Sequence, residues 1–256
     1  MRSADFELIE HLPFTTGEDL GRRARVGVVA LSSDYTIEHE LGRLLDLPGV
    51  GVYTARLPNS PEVTPETLAA MQDHIADTAA RILMGDRLDV VAFGCTSATA
   101  VLGEKKVAEL IQSAKPDAQT ATPLSAALAA MTALKARRVA VLTPYRSDVN
   151  DTLRQRLTEG GLEIPIFGSF NEPQDPIVAA IDEKSLASAV RKLIDGRDLD
   201  AVFVSCTSIR FAEAIPSLEA EIGLPVTTSN HALAWRCLRL ANVHDKTPEK
   251  GRLYAL

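Results

Sequence analysis

The stretch LDVVAFGCTSAT (Leu88 to Thr99) returns 111 positions later as LDAVFVSCTSIR (Leu199 to Arg210). Each copy reads Leu-Asp, a short apolar run, and then Cys-Thr-Ser. An apolar run of that length bounded by polar residues reads as a strand buried on both faces. The surroundings repeat too: ARRVAVLTPYRSDVNDTLRQRL corresponds to RARVGVVALSSDYTIEHELGRLL, with Arg138-Val139 standing 113 positions after Arg25-Val26. Such self-similarity is an internal duplication, and it predicts two similar halves related by a pseudo-twofold axis.

Within each half, strand patterns alternate with helical ones, the grammar of right-handed βαβ units. The expected fold class is therefore α/β, with two pseudo-symmetric doubly wound lobes. Each lobe should carry a parallel four-stranded sheet flanked by helices, with the active site in the cleft between them. The predicted division gives residues 1–120 plus 230–256 to the first lobe and 121–229 to the second, the closing helix returning across the interface. TPETLAAMQDHIADTAARILMGD predicts one long helix, capped by Thr64, with Pro65 at its first position and Gly85 at its end. SATAVLGEKKVAELIQSA predicts another, and RFAEAIPSLEAEIG a helix directly after the second Cys-Thr-Ser.

The chain has 256 residues, 46% of them hydrophobic and 24% charged, which is the balance of a globular protein. A formal net charge of −7 and only 5% aromatics argue against nucleic acid or an anionic membrane as partner. The N-terminal MRSADFELIEHLPF carries acids early and lacks a signal-type apolar core, so the expectation is a cytoplasmic protein. Three cysteines, Cys95, Cys206 and Cys237, do not form a disulfide framework. The histidines show no zinc spacing, so neither a metal nor a cofactor is expected. LPGVGVY lacks the third glycine and the context of a dinucleotide fingerprint. A homo-oligomer, dimer or tetramer, is the expected assembly.

In open α/β sheets ligands bind beyond the carboxyl ends of the strands. Cys95 and Cys206 each stand at such an end. The reading expects a following helix at each, whose positive end lowers the thiol pKa. Thr96-Ser97 and Thr207-Ser208 add hydroxyls and backbone N–H groups suited to a carboxylate. Two opposed thiols can remove a proton from one face of a carbon and return it to the other. Alternatively one adds to an activated double bond while its partner protonates the adjacent carbon. A single cysteine after an apolar strand is more often core packing, and the repetition is what favours chemistry. Cys237, at helical spacing in ALAWRCLRL, reads as packing.

With these residues in view, the chain resembles the aspartate/glutamate racemase superfamily. It is most similar to the branch of maleate cis–trans isomerases, arylmalonate decarboxylases and ectoine-utilisation proteins. RVGVVALSSDYTIEHE, FGCTSAT, VLTPYRSDVN, SCTSIR and PVTTSNHALAWRCLRLA carry the resemblance. It implies that Cys95 acts as nucleophile and Cys206 as proton donor on a small carboxylic acid. It implies further that Tyr145, and less securely Asn171, hold the substrate, together with Ser33 and the two Thr-Ser pairs. Decarboxylases of the branch lack the first cysteine, so the pair favours isomerase or racemase chemistry. One position departs from the pattern: maleate isomerases carry asparagine where this chain has Asp34. A carboxylate there repels a substrate carboxylate and points to a substrate with a cationic or N–H group, as in the ectoine-utilisation proteins. A helix-capping role competes for Asp34, and turn roles for Tyr145 and Asn171. Arg210 reads as a solvated charge. A decarboxylase using Cys206 alone and a non-catalytic bilobal binding protein are the alternatives.

Overall fold

A computed structural model describes residues 6–60 and 62–256. The first half runs β1 (Ala24–Leu31), α1 (Ile37–Leu44), β2 (Val50–Leu57), α2 (Pro65–Ala70), α3 (Gln72–Arg81), β3 (Val90–Phe93), α4 (Thr96–Leu102), α5 (Glu104–Ala114), β4 (Gln119–Ala121) and α6 (Pro123–Leu134). The second runs β5 (Arg138–Thr143), α7 (Ser147–Glu159), β6 (Glu163–Ser169), α8 (Asp175–Ala179), α9 (Glu183–Ile194), β7 (Ala201–Val204), α10 (Ile215–Ile222), β8 (Val226–Thr228) and α11 (Ser229–Leu240). The strands form two parallel four-stranded sheets, ordered β2-β1-β3-β4 and β6-β5-β7-β8. Helices flank both, and the expected α/β class holds.

The repeated Leu-Asp has a structural cause. Asp89 Oδ2 accepts the Arg25 N–H at 2.8 Å, and Asp200 Oδ2 accepts those of Arg137 and Arg138 at 2.8 and 2.7 Å. Each aspartate thus fixes the start of its sheet's first strand against the strand that carries the cysteine. Beyond the aspartates, all four residues of β3 and all four of β7 are buried, as a strand covered on both faces requires.

Three helix expectations change. The long helix after Thr64 is interrupted at Met71 and stops at Arg81, short of Gly85. Its cap is as predicted: Thr64 and Thr67 form a reciprocal capping box, with Pro65 at the first position. The helix after Cys95 is split at Gly103, whose φ of +85° needs a residue without a side chain. After Cys206 no helix follows at once. Turns lead to a 3-10 segment at Ala212–Ala214, and α10 starts only at Ile215.

The helices that close each half change sides. α6 packs against α11 and β8, while α11 packs against β3, β4 and α1. Ahead of β1, residues 6–20 lie outside helix and strand, with Phe6, Leu8, Ile9, Leu12, Phe14 and Leu20 exposed. No helix among the described residues is long and apolar enough to cross a membrane.

Candidate active site

Cys95 and Cys206 leave the carboxyl ends of β3 and β7 and line one cavity with Thr96, Ser97, Thr207, Ser208 and Tyr145. The halves interlock at this point through their own turns. Thr96 Oγ1 and Ser229 Oγ lie 2.9 Å apart, and Ser229 Oγ also accepts the Cys206 N–H at 3.0 Å. Thr207 Oγ1 donates to the Gly94 carbonyl at 3.2 Å. Each cysteine turn is thereby held by groups from the other half or from α11.

The two cysteines occupy equivalent positions in different backbones. Cys95 is extended (φ −148°) and caps α4, its sulfur accepting the Ala98 N–H at 3.4 Å with Ser97 Oγ at 3.5 Å. Cys206 has φ +153°, a value side-chain-bearing residues rarely adopt. Such backbone costs about 1–3 kcal/mol and persists where surrounding structure holds it, most often at functional sites.

The expectation of lowered thiol pKa values is overturned. Burial pushes Cys95 up to about 11 against the help of Ser97 and the Ala98 N–H, and Asp175 and Asp34 raise it further. Burial pushes Cys206 up to about 12; Asp175 adds to this, Tyr145 and the Ser208 N–H oppose it, and Asp34 adds again. The missing helix removes its dipole from Cys206, and at Cys95 a seven-residue helix does not offset desolvation. Both thiols are protonated in this closed form.

Tyr145 is buried in the same cavity lining. Its phenol is raised well above the usual range, first by burial and then by the two cysteines. Its carbonyl is anchored by Asn150 Nδ2 at 2.7 Å and by the Ser169 hydroxyl. Asn171 is not brought in: it is an exposed turn residue with φ +56°. Arg210 is exposed as well, and Cys237 is buried in α11.

Asp34 is buried behind the first loop. Its Oδ1 accepts the N–H groups of Thr36 and Ile37 at 2.7 and 2.8 Å, an aspartate turn that leads into α1, whose N-cap is Thr36. Its Oδ2 is buried without a hydrogen-bond partner. Burial raises its pKa; the two N–H groups and the Thr207 side chain oppose that, and Asp175 reinforces it.

The sequence reading missed Asp175, Asn59, Ser229 and Glu40. Asp175 Oδ2 accepts the Ser33 hydroxyl at 2.5 Å and Oδ1 the Ser208 hydroxyl at 3.1 Å. Asn59 holds Ser33 from the other side, accepting its N–H at 3.1 Å and donating to its Oγ at 2.8 Å. Asn59 sits in the loop that leaves the carboxyl end of β2, and Asp175 opens α8, directly after the loop that leaves the carboxyl end of β6. The same strand-end rule that singles out the cysteines applies to them. A backbone bridge between Glu62 and Gln174 ties these two loops together over the thiols. The cavity beneath measures about 10 Å³, room for about one water. Substrate entry therefore requires the cover formed by Asn59, Ser60, Glu62 and Val63 to move. A groove of about 380 Å³ beside Glu40, Arg43 and Lys250 contains neither thiol.

Among the described residues no group of three or more His, Cys, Asp or Glu side chains is arranged to hold a metal ion. Paired thiols at matching strand ends of two fused αβ halves define a class of bilobal proteins with a cysteine site in the interlobe cleft. A family profile described as arylmalonate decarboxylase matches residues 53–254, and the chain belongs to that family. The arylmalonate decarboxylase of Bordetella bronchiseptica is 30% identical over 203 residues, 75% of this chain and 81% of that protein. The maleate isomerase of Nocardia farcinica is 28% identical over 247 residues, 90% of this chain and 94% of its own. Among solved structures, a variant of the N. farcinica maleate cis–trans isomerase with a covalently bound succinylcysteine intermediate gives a TM-score of 0.83 at 26% identity. That match covers 91% of this chain and 98% of the other. These relationships support a cofactor-independent, cysteine-based isomerase or decarboxylase.

Proposed function

We propose that this protein is a cofactor-independent isomerase or racemase acting on a small carboxylic acid through Cys95 and Cys206. The observation that carries this reading is that both thiols line one closed cavity together with Tyr145. One thiolate adds to, or deprotonates, the substrate carbon, and the other thiol supplies a proton from the opposite side. Thr96, Ser97, Thr207 and Ser208 supply hydroxyls and N–H groups for the substrate's carboxylate. The succinylcysteine in the N. farcinica enzyme supports covalent addition by such a thiol. Within the branch, an intermediate of ectoine degradation is the substrate this reading favours, because Asp34 stands where the maleate isomerases carry asparagine.

The family and the Bordetella relative favour a second reading, decarboxylation with Cys206 alone protonating an enediolate. Carbon dioxide release separates the two. Under the two-thiol reading, small carboxylates yield isomer without carbon dioxide, and Cys95→Gly abolishes turnover. Carbon dioxide release that survives Cys95→Gly would establish the decarboxylase instead.

The lobe division at 1–120 plus 230–256 and 121–229 belongs to the same proposal, supported by the packing of α11 on β3 and β4. So does a homo-oligomer, which the exposed apolar side chains of residues 6–20 support. Light scattering that gave a monomer at working concentration would remove it.

A further inference from the structure

Asp175 stands where the sequence reading places a substrate group. Its two oxygens take the hydroxyls of Ser33 and Ser208, one from each half, and both had been expected to face the substrate's carboxylate. The protein's own carboxylate thus satisfies one of the two places where a dicarboxylate would be held. Asp34 supplies a separate observation: its Oδ2 is 98% buried by the residue's 2% exposure, has no partner, and lies beside the Thr207 side chain. Among the described residues no lysine, arginine or histidine lines the cavity, whereas Glu62 joins Asp175 as a second acid in its lining, with Asp34 buried behind Thr207. Arg56, the guanidinium that senses Asp34, is committed to Glu38 and to the carbonyls of Ser32 and Asp34.

We propose that the substrate carries a single carboxylate at one end and a cationic nitrogen, an ammonium or amidinium group, at the other, and that Asp175 and Asp34 select it. This rests on the two-thiol reading only in placing the substrate in the thiol cavity. Like charges held a few ångströms apart repel one another far more in a partly buried site than in water. A dicarboxylate therefore meets Asp175 in the cavity lining, with Asp34 buried behind Thr207, and among the described lining residues no cation offsets them. A nitrogen cation gives Asp34 Oδ2 the donor it lacks and can donate to Asp175 in place of a serine hydroxyl. It also cancels part of the field of both acids, which adds to burial in keeping the thiols protonated. Binding the correct substrate and freeing a thiolate are then one event.

The test compares succinate with 3-amidinopropanoate, in which one carboxylate is replaced by an amidinium of the same shape, and with β-alanine. Binding is measured by calorimetry on the full chain. The wild type should bind 3-amidinopropanoate or β-alanine at least tenfold more tightly than succinate. Asp175→Asn should cut that preference at least fivefold, and Asp34→Asn, which keeps the Oδ1 acceptor, should do the same if Asp175→Asn does not fold. Equal or tighter binding of succinate, no binding of any of the three, or an unchanged preference in the folded variants overturns the proposal. The readout is binding, repeated in a Cys95→Ser/Cys206→Ser chain. A failure of the thiol chemistry leaves the preference in place, and a failed preference leaves the thiol chemistry standing.

Discussion

Asp34 shows how the two oxygens of a single side chain can have different surroundings. One oxygen holds the turn that leads into α1, and the other is buried without a hydrogen-bond partner. Its folded pKa lies above the unfolded value, so protonation favours the folded state. The stabilisation is present at low pH and is lost as pH rises through the raised pKa. Asp34→Asn should therefore be more stable than wild type at pH 8, by about 1 kcal/mol. The advantage should shrink as the pH falls through the raised pKa, as urea midpoints measured at pH 8 and in acid will show. A variant less stable than wild type at pH 8 would contradict this. The thiols make a parallel prediction. With Cys95 at about 11 in the closed form, kcat/KM should climb steadily from pH 7 to 9, whereas a plateau below pH 8 would show a thiolate already formed.

At the scale of elements, α1 and α11 clamp the halves together through one buried carboxylate. Glu40 in α1 accepts the N–H groups of Phe211 and Ala212, both at 2.7 Å, and the side-chain amide of Asn230 at 2.8 Å. Glu40→Ala strands three buried donors and should cost about 3 kcal/mol by urea unfolding; a loss below 1 kcal/mol would show that water or relaxation replaces the acceptor. Ser229→Ala removes the acceptor for the Cys206 N–H and the partner of Thr96. It should lower kcat more than it raises KM, because it frees the strained Cys206 backbone without touching the cover. The strands, both cysteine turns and the Thr64 cap were legible because periodicity and capping are local. The break at Gly103 and the delayed start of α10 were not, since tertiary packing decides where a helical pattern actually runs. Asp175 was hidden for a related reason. In NEPQDPIV it reads as a turn acid before proline, and only the folded chain sets it between Ser33 and Ser208.

For the whole molecule, duplication explains both the likeness and the difference of the two thiols. Fusing two copies places a cysteine at the same strand end twice, and the exchange of α6 and α11 holds the copies face to face. Once fused, the turns diverged: one caps a helix with extended backbone, while the other sits at φ +153° with Asp175 as a neighbour. That divergence suits a pair with unequal roles, a nucleophile or base on one side and an acid on the other. The most direct test follows, in deuterated water by proton NMR, the loss of a carbon-bound hydrogen from the acid the wild type turns over. The measurement is repeated with Cys95→Ser and Cys206→Ser, each shown to be folded. The account predicts that either substitution lowers isomer formation by at least a thousandfold; wild-type turnover in either single variant would contradict it.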